Sequence, residues 1–314
     1  MLSKRSKIYV AGHRGLVGSA ILRSLKKNGY NNLIFKTSKE LDLRDQKKVL
    51  NFLKIHKPDF IFIAAAKVGG IFSNNNYKAN FIYDNLAIQT NLIHSAFLSG
   101  VKNLIFLGSS CVFPRNCKQP IKEKYLLTGE LEKTNDAYAI AKIAGIKMCQ
   151  SFNKQYNTDF RAIMPTNLYG PNDNYDPPNS HVLAALTKKI LIAKKQNKKT
   201  VTIWGNGEPK REFLHVDDLA EASVFTLERF QFGLNDCSFL NVGTGKDISI
   251  LDLAILIKDK VGFKGSIFWD KTKPNGTPLK RLDITRIKKL GWESKISLEE
   301  GIEKTIKDFK KIYI

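Results

Sequence analysis

The chain has 314 residues, is 43% hydrophobic and carries a formal net charge of +22. That length allows one large or two moderate cores, and no apolar run approaches the roughly 18 residues that a membrane-spanning helix needs. The positive excess is mostly Lys spread along the chain among many Asn and Ile residues. Its clusters, such as Lys188-Lys189, Lys194-Lys195 and Lys198-Lys199, are not interleaved with aromatics. Solvated surface, with some attraction for an anionic substrate, is therefore expected rather than a nucleic-acid site.

At the N-terminus, the apolar run Ile8 to Gly12 is too short for a signal-peptide core, and the cytoplasm is the expected compartment. Lys7 to Ala11 reads as a short buried strand, followed by Gly12-His13-Arg14-Gly15-Leu16-Val17-Gly18 and then helical periodicity from Ser19 to Lys27. A strand, a glycine-rich turn and a helix start make a dinucleotide site. The glycines let the backbone approach a pyrophosphate, and the helix N-terminus supplies free N–H groups. The spacing is Gly-x-x-Gly-x-x-Gly rather than the usual Gly-x-Gly-x-x-Gly.

A second strand is predicted over Leu33 to Lys36. The segment Lys36-Thr37-Ser38-Lys39 stands where an NAD enzyme usually has an acid, and with Arg14 it suits a 2′-phosphate, hence NADP. A helix over Gln46 to His56, a strand over Phe60 to Ile63, a long helix from Tyr77 to Leu98 and an apolar strand from Asn103 to Leu107 follow. The alternation predicts an α/β fold, a Rossmann-type doubly wound parallel sheet.

After a loop from Val112 to Asp136, Asp136 is expected to cap a helix that carries Tyr138 and Lys142. Four residues apart, these two share a helix face, and the ammonium is expected to lower the Tyr pKa. Phe160 to Met164 is the next strand, and Gly12, Ser109 and Pro165, all at strand ends, should border one crevice.

Beyond Pro171 the character changes. Ser180 is expected to cap a helix to about Lys195, Val201 to Trp204 is a strand, and Arg211 to Leu219 enters another helix. Phe239 to Val242 is a strand, with helices over Ser249 to Val261, Thr285 to Leu290 and Ser297 to Phe309. This predicts a cofactor-binding domain over residues 1–170, with a return around 212–245, and a smaller C-terminal α/β substrate domain over 171–314.

Four cysteines, Cys111, Cys117, Cys149 and Cys237, have no zinc-ligand spacing. Free thiols in a reducing compartment are expected, and no metal.

The glycine loop, Ser109 on a strand end and the Tyr138/Lys142 pair together form the pattern of the extended short-chain dehydrogenase/reductases. Several longer stretches more closely resemble the GDP-L-fucose synthase family: Ala64 to Ile71, Leu107 to Cys111, Tyr138 to Lys147, Met164 to Pro171, Asn179-Ser180-His181-Val182 and Arg211 to Asp218. The likeness runs from about residue 7 to 313. Such enzymes convert GDP-4-keto-6-deoxy-D-mannose to GDP-L-fucose by inverting C3 and C5 and reducing C4 with NADPH.

The resemblance implies roles for particular residues. Tyr138 is the acid/base, Lys142 its support, Ser109 a hydrogen-bonding partner of the reacting oxygen, Cys111 the epimerisation base and His181 the acid. Inversion needs proton loss to one face and return from the other. A thiol near 8.5 and an imidazole near 6.5 bracket neutral pH. The implied cofactor contacts are Gly12, His13, Arg14, Gly15, Leu16, Val17, Gly18, Leu107, Gly108, Ser109, Ser110, Lys142, Pro165, Thr166, Asn167, Leu168 and His181, with Lys36 and Ser38 at the 2′-phosphate. Lys189, Trp204, Arg211 and Lys280 match substrate-contacting positions. The chain departs from the family in having Lys189 where Arg is frequent, and in lacking an Arg near Ser38.

The family's homodimer is expected through the helices around Ile82 to Leu98 and Ala141 to Phe152. Two other readings compete. One is a nucleotide-sugar epimerase or dehydratase that retains NAD(H), against which Cys111 with His181 argues. The other is a non-enzymatic cofactor sensor or nucleic-acid binder, which would usually have lost Tyr138 or Lys142.

Overall fold

The computed structural model describes residues 2–176, 179–229, 239–273 and 275–313. Cys237, and residues 230–238 of the expected return segment, lie outside these.

Strand β1 (Ile8–Ala11) leads into helix α1 (Leu16–Lys27), followed by β2 (Leu33–Ile34), α2 (Gln46–His56) and β3 (Phe60–Ile63). Helices α3 (Ile71–Asn76) and α4 (Lys78–Leu98) precede β4 (Asn103–Leu107), and α5 (Asp136–Tyr156) precedes β5 (Asp159–Pro165). Next come β6 (Asn167–Tyr169), α6 (Val182–Lys195), β7 (Thr200–Trp204), β8 (Lys210–His215), α7 (Val216–Arg229) and β9 (Phe239–Val242). The chain continues through β10 (Asp247–Ser249), α8 (Ile250–Val261), β11 (Ser266–Asp270), β12 (Leu279–Lys280), α9 (Thr285–Lys289) and α10 (Leu298–Tyr313).

The main sheet has the order β2-β1-β3-β4-β5-β9, and every pair in it is parallel. Its strands are apolar on both faces because helices cover both. Phe106, Phe160, Ala162 and Met164 pack with Leu92 and Ile146 of α4 and α5 on one side. Val10, Phe62, Ile105 and Ile163 pack with Ile21 of α1 and Leu219 of α7 on the other. From β1 the chain runs outward to β2, then crosses back to β3 on the far side of β1. The strand order therefore reverses between β1 and β3, and a crevice opens at their C-terminal ends. A third core gathers Tyr169, Leu183, Ile190, Val201, Phe213, Leu253, Ile302 and Phe309 from later elements.

Local departures from the sequence expectations have identifiable causes. Strand β2 stops at Ile34, a short edge strand rather than one reaching Lys36. Asp136 is the first helical residue of α5 and not its cap. Its carboxylate accepts from the Ala137 N–H at 2.8 Å and from Lys78 Nζ at 3.0 Å. Ser180 does not cap α6, because its N–H is held in a turn by the Asp176 carbonyl at 3.0 Å; His181 takes the cap position instead. The stretch from Arg211 enters a strand, β8, before α7 begins, because β8 is paired on both sides by β6, β10 and β12. Helix α3 and strands β6, β10 and β12 were not anticipated; each is six residues or fewer.

Candidate active site

A cavity of about 1490 Å³ opens at the C-terminal ends of the main-sheet strands and runs to β7, β8 and β12. At its β1 end, Gly12 has φ +84°, and a Cβ there would lie 2.6 Å from the Ala65 nitrogen. A Cβ on Gly18 would lie 2.1 Å from the Gly12 carbonyl oxygen. These two glycines let the loop fold tightly against β3 and α1. Gly15 is the N-cap of α1 and offers no capping side chain, so the first N–H groups of that helix are left for a ligand. Gly12, Gly15, Leu16 and Val17 line the cavity, as do Lys36, Ser38 and Lys39 beyond β2. A pyrophosphate fits the helix start, and the cations fit a 2′-phosphate. Lys36 is already paired with Glu40 at 3.2 Å, while Glu40 also caps the Thr37 N–H at 2.8 Å.

Three expected cofactor contacts are not on the cavity wall. Gly18 is buried against Gly12 and does not line the cavity. His13 lies against the Phe35 ring, with centroids 4.8 Å apart, and Arg14 is exposed; neither lines the cavity.

At the centre, Leu107 ends β4 and Gly108 and Ser109 lead into a 3-10 turn that starts with Ser110 and Cys111, and Tyr138 and Lys142 line the same cavity from α5. The Cys111 N–H donates to the Ser109 hydroxyl oxygen at 3.4 Å. The Ser109 side chain, Cys111 and Tyr138 all line this part of the cavity. Lys142 Nζ donates to the Leu107 carbonyl at 2.8 Å and lies 5.7 Å from the centroid of the Tyr138 ring.

Burial sets the titration of this group. It raises the Tyr138 phenol well above its ordinary 10.0, with the Cys111 charge adding to the rise. The lowering of Tyr138 expected from Lys142 is thus overturned: the ammonium is itself desolvated, its own pKa lowered to about 8, and it is directed at a carbonyl. Burial likewise raises the Cys111 thiol, opposed chiefly by Lys280, then by Ser109 and Lys142.

His181 sits across the cavity at the entry of α6. It is solvent-accessible, but the surrounding walls remove enough bulk water to lower its pKa from 6.5. The loop that carries it is tied to the β3 end, where the Gly70 N–H donates to the Asn179 carbonyl at 3.0 Å and the Ser73 hydroxyl bonds the Asn179 side chain. Asn74 Nδ2 in turn donates to the Gly69 carbonyl at 2.6 Å. Pro165, Thr166, Asn167 and Leu168 form the floor, with Asn167 Nδ2 donating to the Glu212 carbonyl at 2.8 Å.

The far end holds Lys189, Trp204 and Arg211, and Lys280 also lines the cavity. Trp204 is 57% exposed, and the ammonium groups of Lys189 and Lys273 lie 5.7 and 5.9 Å from its ring. An exposed indole among cations suits a purine base carrying phosphates. Sequence reasoning missed Lys273, Glu132 and the Asn179 latch. Glu132 lines the cavity, pairs with Arg115 at 3.3 Å and bonds Thr134. Nothing in spacing singles out a lone Glu or Asn, so only the fold reveals them.

The chain matches the NAD dependent epimerase/dehydratase family over residues 8–243. It is 54% identical to GDP-L-fucose synthase 1 of Arabidopsis thaliana, covering 97% of this chain and 93% of that one. It is 50% identical to the GDP-L-fucose synthase of Escherichia coli (strain K12), covering 97% of each. Among solved structures it is similar to a GDP-mannoheptose C4 reductase from Campylobacter jejuni with NADP bound, at TM-score 0.90 and 38% identity, covering 99% of this chain and all of that one. With a glycine loop at the strand-order reversal, a Ser–Tyr–Lys set beside a thiol and an imidazole, and a cationic end carrying an indole, the chain belongs to the GDP-L-fucose synthase family of NAD dependent epimerase/dehydratases.

Proposed function

We propose that the protein converts GDP-4-keto-6-deoxy-D-mannose to GDP-L-fucose, inverting C3 and C5 before reducing C4. It is an NADPH-dependent GDP-sugar epimerase/reductase. The observation that carries the specific reaction is the convergence of Cys111, His181, Ser109 and Tyr138 on one cavity.

The 4-ketone acidifies the neighbouring C–H bonds. The Cys111 thiolate takes a proton from C3 or C5, so that a C–H bond breaks, an S–H bond forms and the electron pair passes to O4. Ser109 and Tyr138 donate hydrogen bonds to that oxygen as its charge grows. His181 returns a proton from the opposite face; the cavity walls around it destabilise its protonated form, so the imidazolium, when formed, is a stronger acid than a free one. NADPH, when bound, supplies hydride to C4. Tyr138, held protonated by burial, gives its proton to O4, and Lys142, one helical turn away, would hold the cofactor's ribose.

Gly12, Gly15, Leu16, Val17 and the Lys36–Lys39 segment would hold the cofactor's phosphates. Lys189, Arg211 and Trp204 would hold the GDP handle. Residues 1–170 with the 212–245 return would form the cofactor-binding domain and 171–314 the substrate-binding domain; the separate third core supports this division. A homodimer through α4 and α5 is supported by the exposed Tyr83, Leu98, Ile140 and Tyr156 on those helices. No helix among the described residues is long and apolar enough to cross a membrane, in keeping with a proposed cytoplasmic location.

The test is incubation of enzyme, NADPH and GDP-4-keto-6-deoxy-D-mannose in deuterated water. One NADPH is consumed per sugar, and deuterium enters C3 and C5. Cys111→Ser retains NADPH binding and loses both exchanges. An enzyme that leaves NADPH untouched would overturn the reading.

A further inference from the structure

Lys280 has surroundings that a simple phosphate contact does not require. It is the last residue of the two-residue strand β12, and both of its neighbours are clamped by one side chain. Gln119 Nε2 donates to the Leu279 carbonyl at 3.2 Å, and Gln119 Oε1 accepts from the Arg281 N–H at 2.9 Å. The Arg281 carbonyl accepts from the Ile121 N–H at 2.8 Å, and Leu282 bridges Ile121. The segment bearing Lys280 is thereby stitched to the loop that continues from Cys111.

In extended chain, residues two apart share a face. Leu282 packs in the same core cluster as Val112 and Phe113, the two residues after Cys111. Arg281 points the other way, to Asp247 at 3.1 Å. Lys280 thus shares a face with Leu282, on the side toward the loop that continues from Cys111, and both Lys280 and Cys111 line the cavity. Its ammonium makes no hydrogen bond or ion pair with any described residue.

We infer that Lys280 is a positioning residue for the epimerisation step: its ammonium is the counter-charge that favours ionisation of Cys111 against the cost of burial, and Gln119 fixes it in place. This rests on Cys111 being the base of the proposed reaction. The charged and titratable groups facing Cys111 are Lys280 from β12 and Lys142 and Tyr138 from α5, with the Ser109 hydroxyl from its own turn. Those facing Lys280 are Cys111, Arg211 and Glu132. Among the cations, Lys280 opposes the burial of the thiol more strongly than Lys142, which is directed at the Leu107 carbonyl.

The test is the pH dependence of Cys111 alkylation by iodoacetamide, a neutral probe, on ligand-free enzyme. It is read by mass spectrometry on the tryptic peptide 103–115, in which Cys111 is the sole cysteine. In Lys280→Met the midpoint rises by about one pH unit, so labelling near pH 7.5 slows roughly tenfold. Lys280→Arg keeps the wild-type midpoint, and Gln119→Leu falls between. The epimerisation pH profile follows the same shift, seen as deuterium exchange into the keto sugar.

A Lys280→Met enzyme that binds NADPH normally and shows an unmoved alkylation midpoint overturns the inference, even if its KM for the nucleotide sugar rises. A raised midpoint in Lys280→Arg overturns it as well. Failure of the base assignment is seen separately: Cys111→Ser would then still exchange deuterium, whatever the titration shows.

Discussion

Lys142 donates its ammonium to the carbonyl of Leu107 at 2.8 Å, at the end of β4, which places it between that strand end and Tyr138. The side chain is 3% exposed, yet it has no carboxylate partner among the described residues; the Phe106 and Tyr138 rings lie 4.7 and 5.7 Å from its ammonium. Holding a buried cation without a counter-ion opposes folding, and the site accepts that strain for its chemistry.

Replacing Lys142 with Met is therefore expected to stabilise the protein while abolishing reduction. A pKa lowered from 10.5 to about 8 corresponds to roughly 3 kcal/mol at neutral pH, and losing the hydrogen bond to Leu107 takes back about 1, leaving a net gain of about 2 kcal/mol. The sign with pH follows from proton counts. Between the folded value near 8 and the unfolded 10.5 the unfolded chain binds more protons, so wild-type stability rises with pH through that window. Urea unfolding at a series of pH values should show the two proteins converging above pH 8. A Met variant less stable than wild type at neutral pH contradicts the account.

Asp173 is a second buried charge outside the reaction. One carboxylate oxygen accepts from the Asn174 N–H at 2.7 Å and the other has no partner among the described residues, and burial raises its pKa to about 7. Between the unfolded value of 3.8 and about 7, the folded chain binds more protons, so this group's stabilising contribution is full at low pH and is lost as pH rises through 7. Asp173→Asn keeps the acceptor and removes the charge. It should raise stability by about 2 kcal/mol at pH 8 and change it little near pH 4. Equal effects at both pH values would show that the carboxyl is not buried as described.

Glu212 is a clasp rather than a catalyst. Fully buried on β8, it accepts from the Thr244 and Gly245 N–H groups at 2.6 and 2.7 Å through one oxygen, and from the Leu282 N–H at 2.7 Å through the other. Gln offers an acceptor on one side only and turns its NH2 against a donor. Glu212→Gln should destabilise the fold by about 3 kcal/mol, since a buried donor loses its partner. Because Leu282 sits two residues from Lys280, the variant should also weaken epimerisation more than NADPH binding. Denaturant unfolding and deuterium exchange into the keto sugar read the two effects.

Much of the molecule is legible in the order of residues. Apolar runs such as Phe60 to Ile63 and Leu104 to Leu107 announce a parallel sheet because only strands covered on both faces can be apolar at every position. The glycine loop and the Tyr138/Lys142 spacing are local patterns, written within one turn or one helix, and Ser109 and Cys111 are two residues apart on the same strand end. What only the tertiary structure decided is long-range and electrostatic. Burial, a property of everything around a group, reversed the expected direction for Tyr138. The latch from Gly70 to Asn179 and the clamp from Gln119 onto Leu279 and Arg281 join segments more than 100 residues apart through a backbone carbonyl or a side-chain amide. Carbonyls and amides occur at every position and leave no periodic trace in the sequence, so their partners are set only when the strands have been laid side by side.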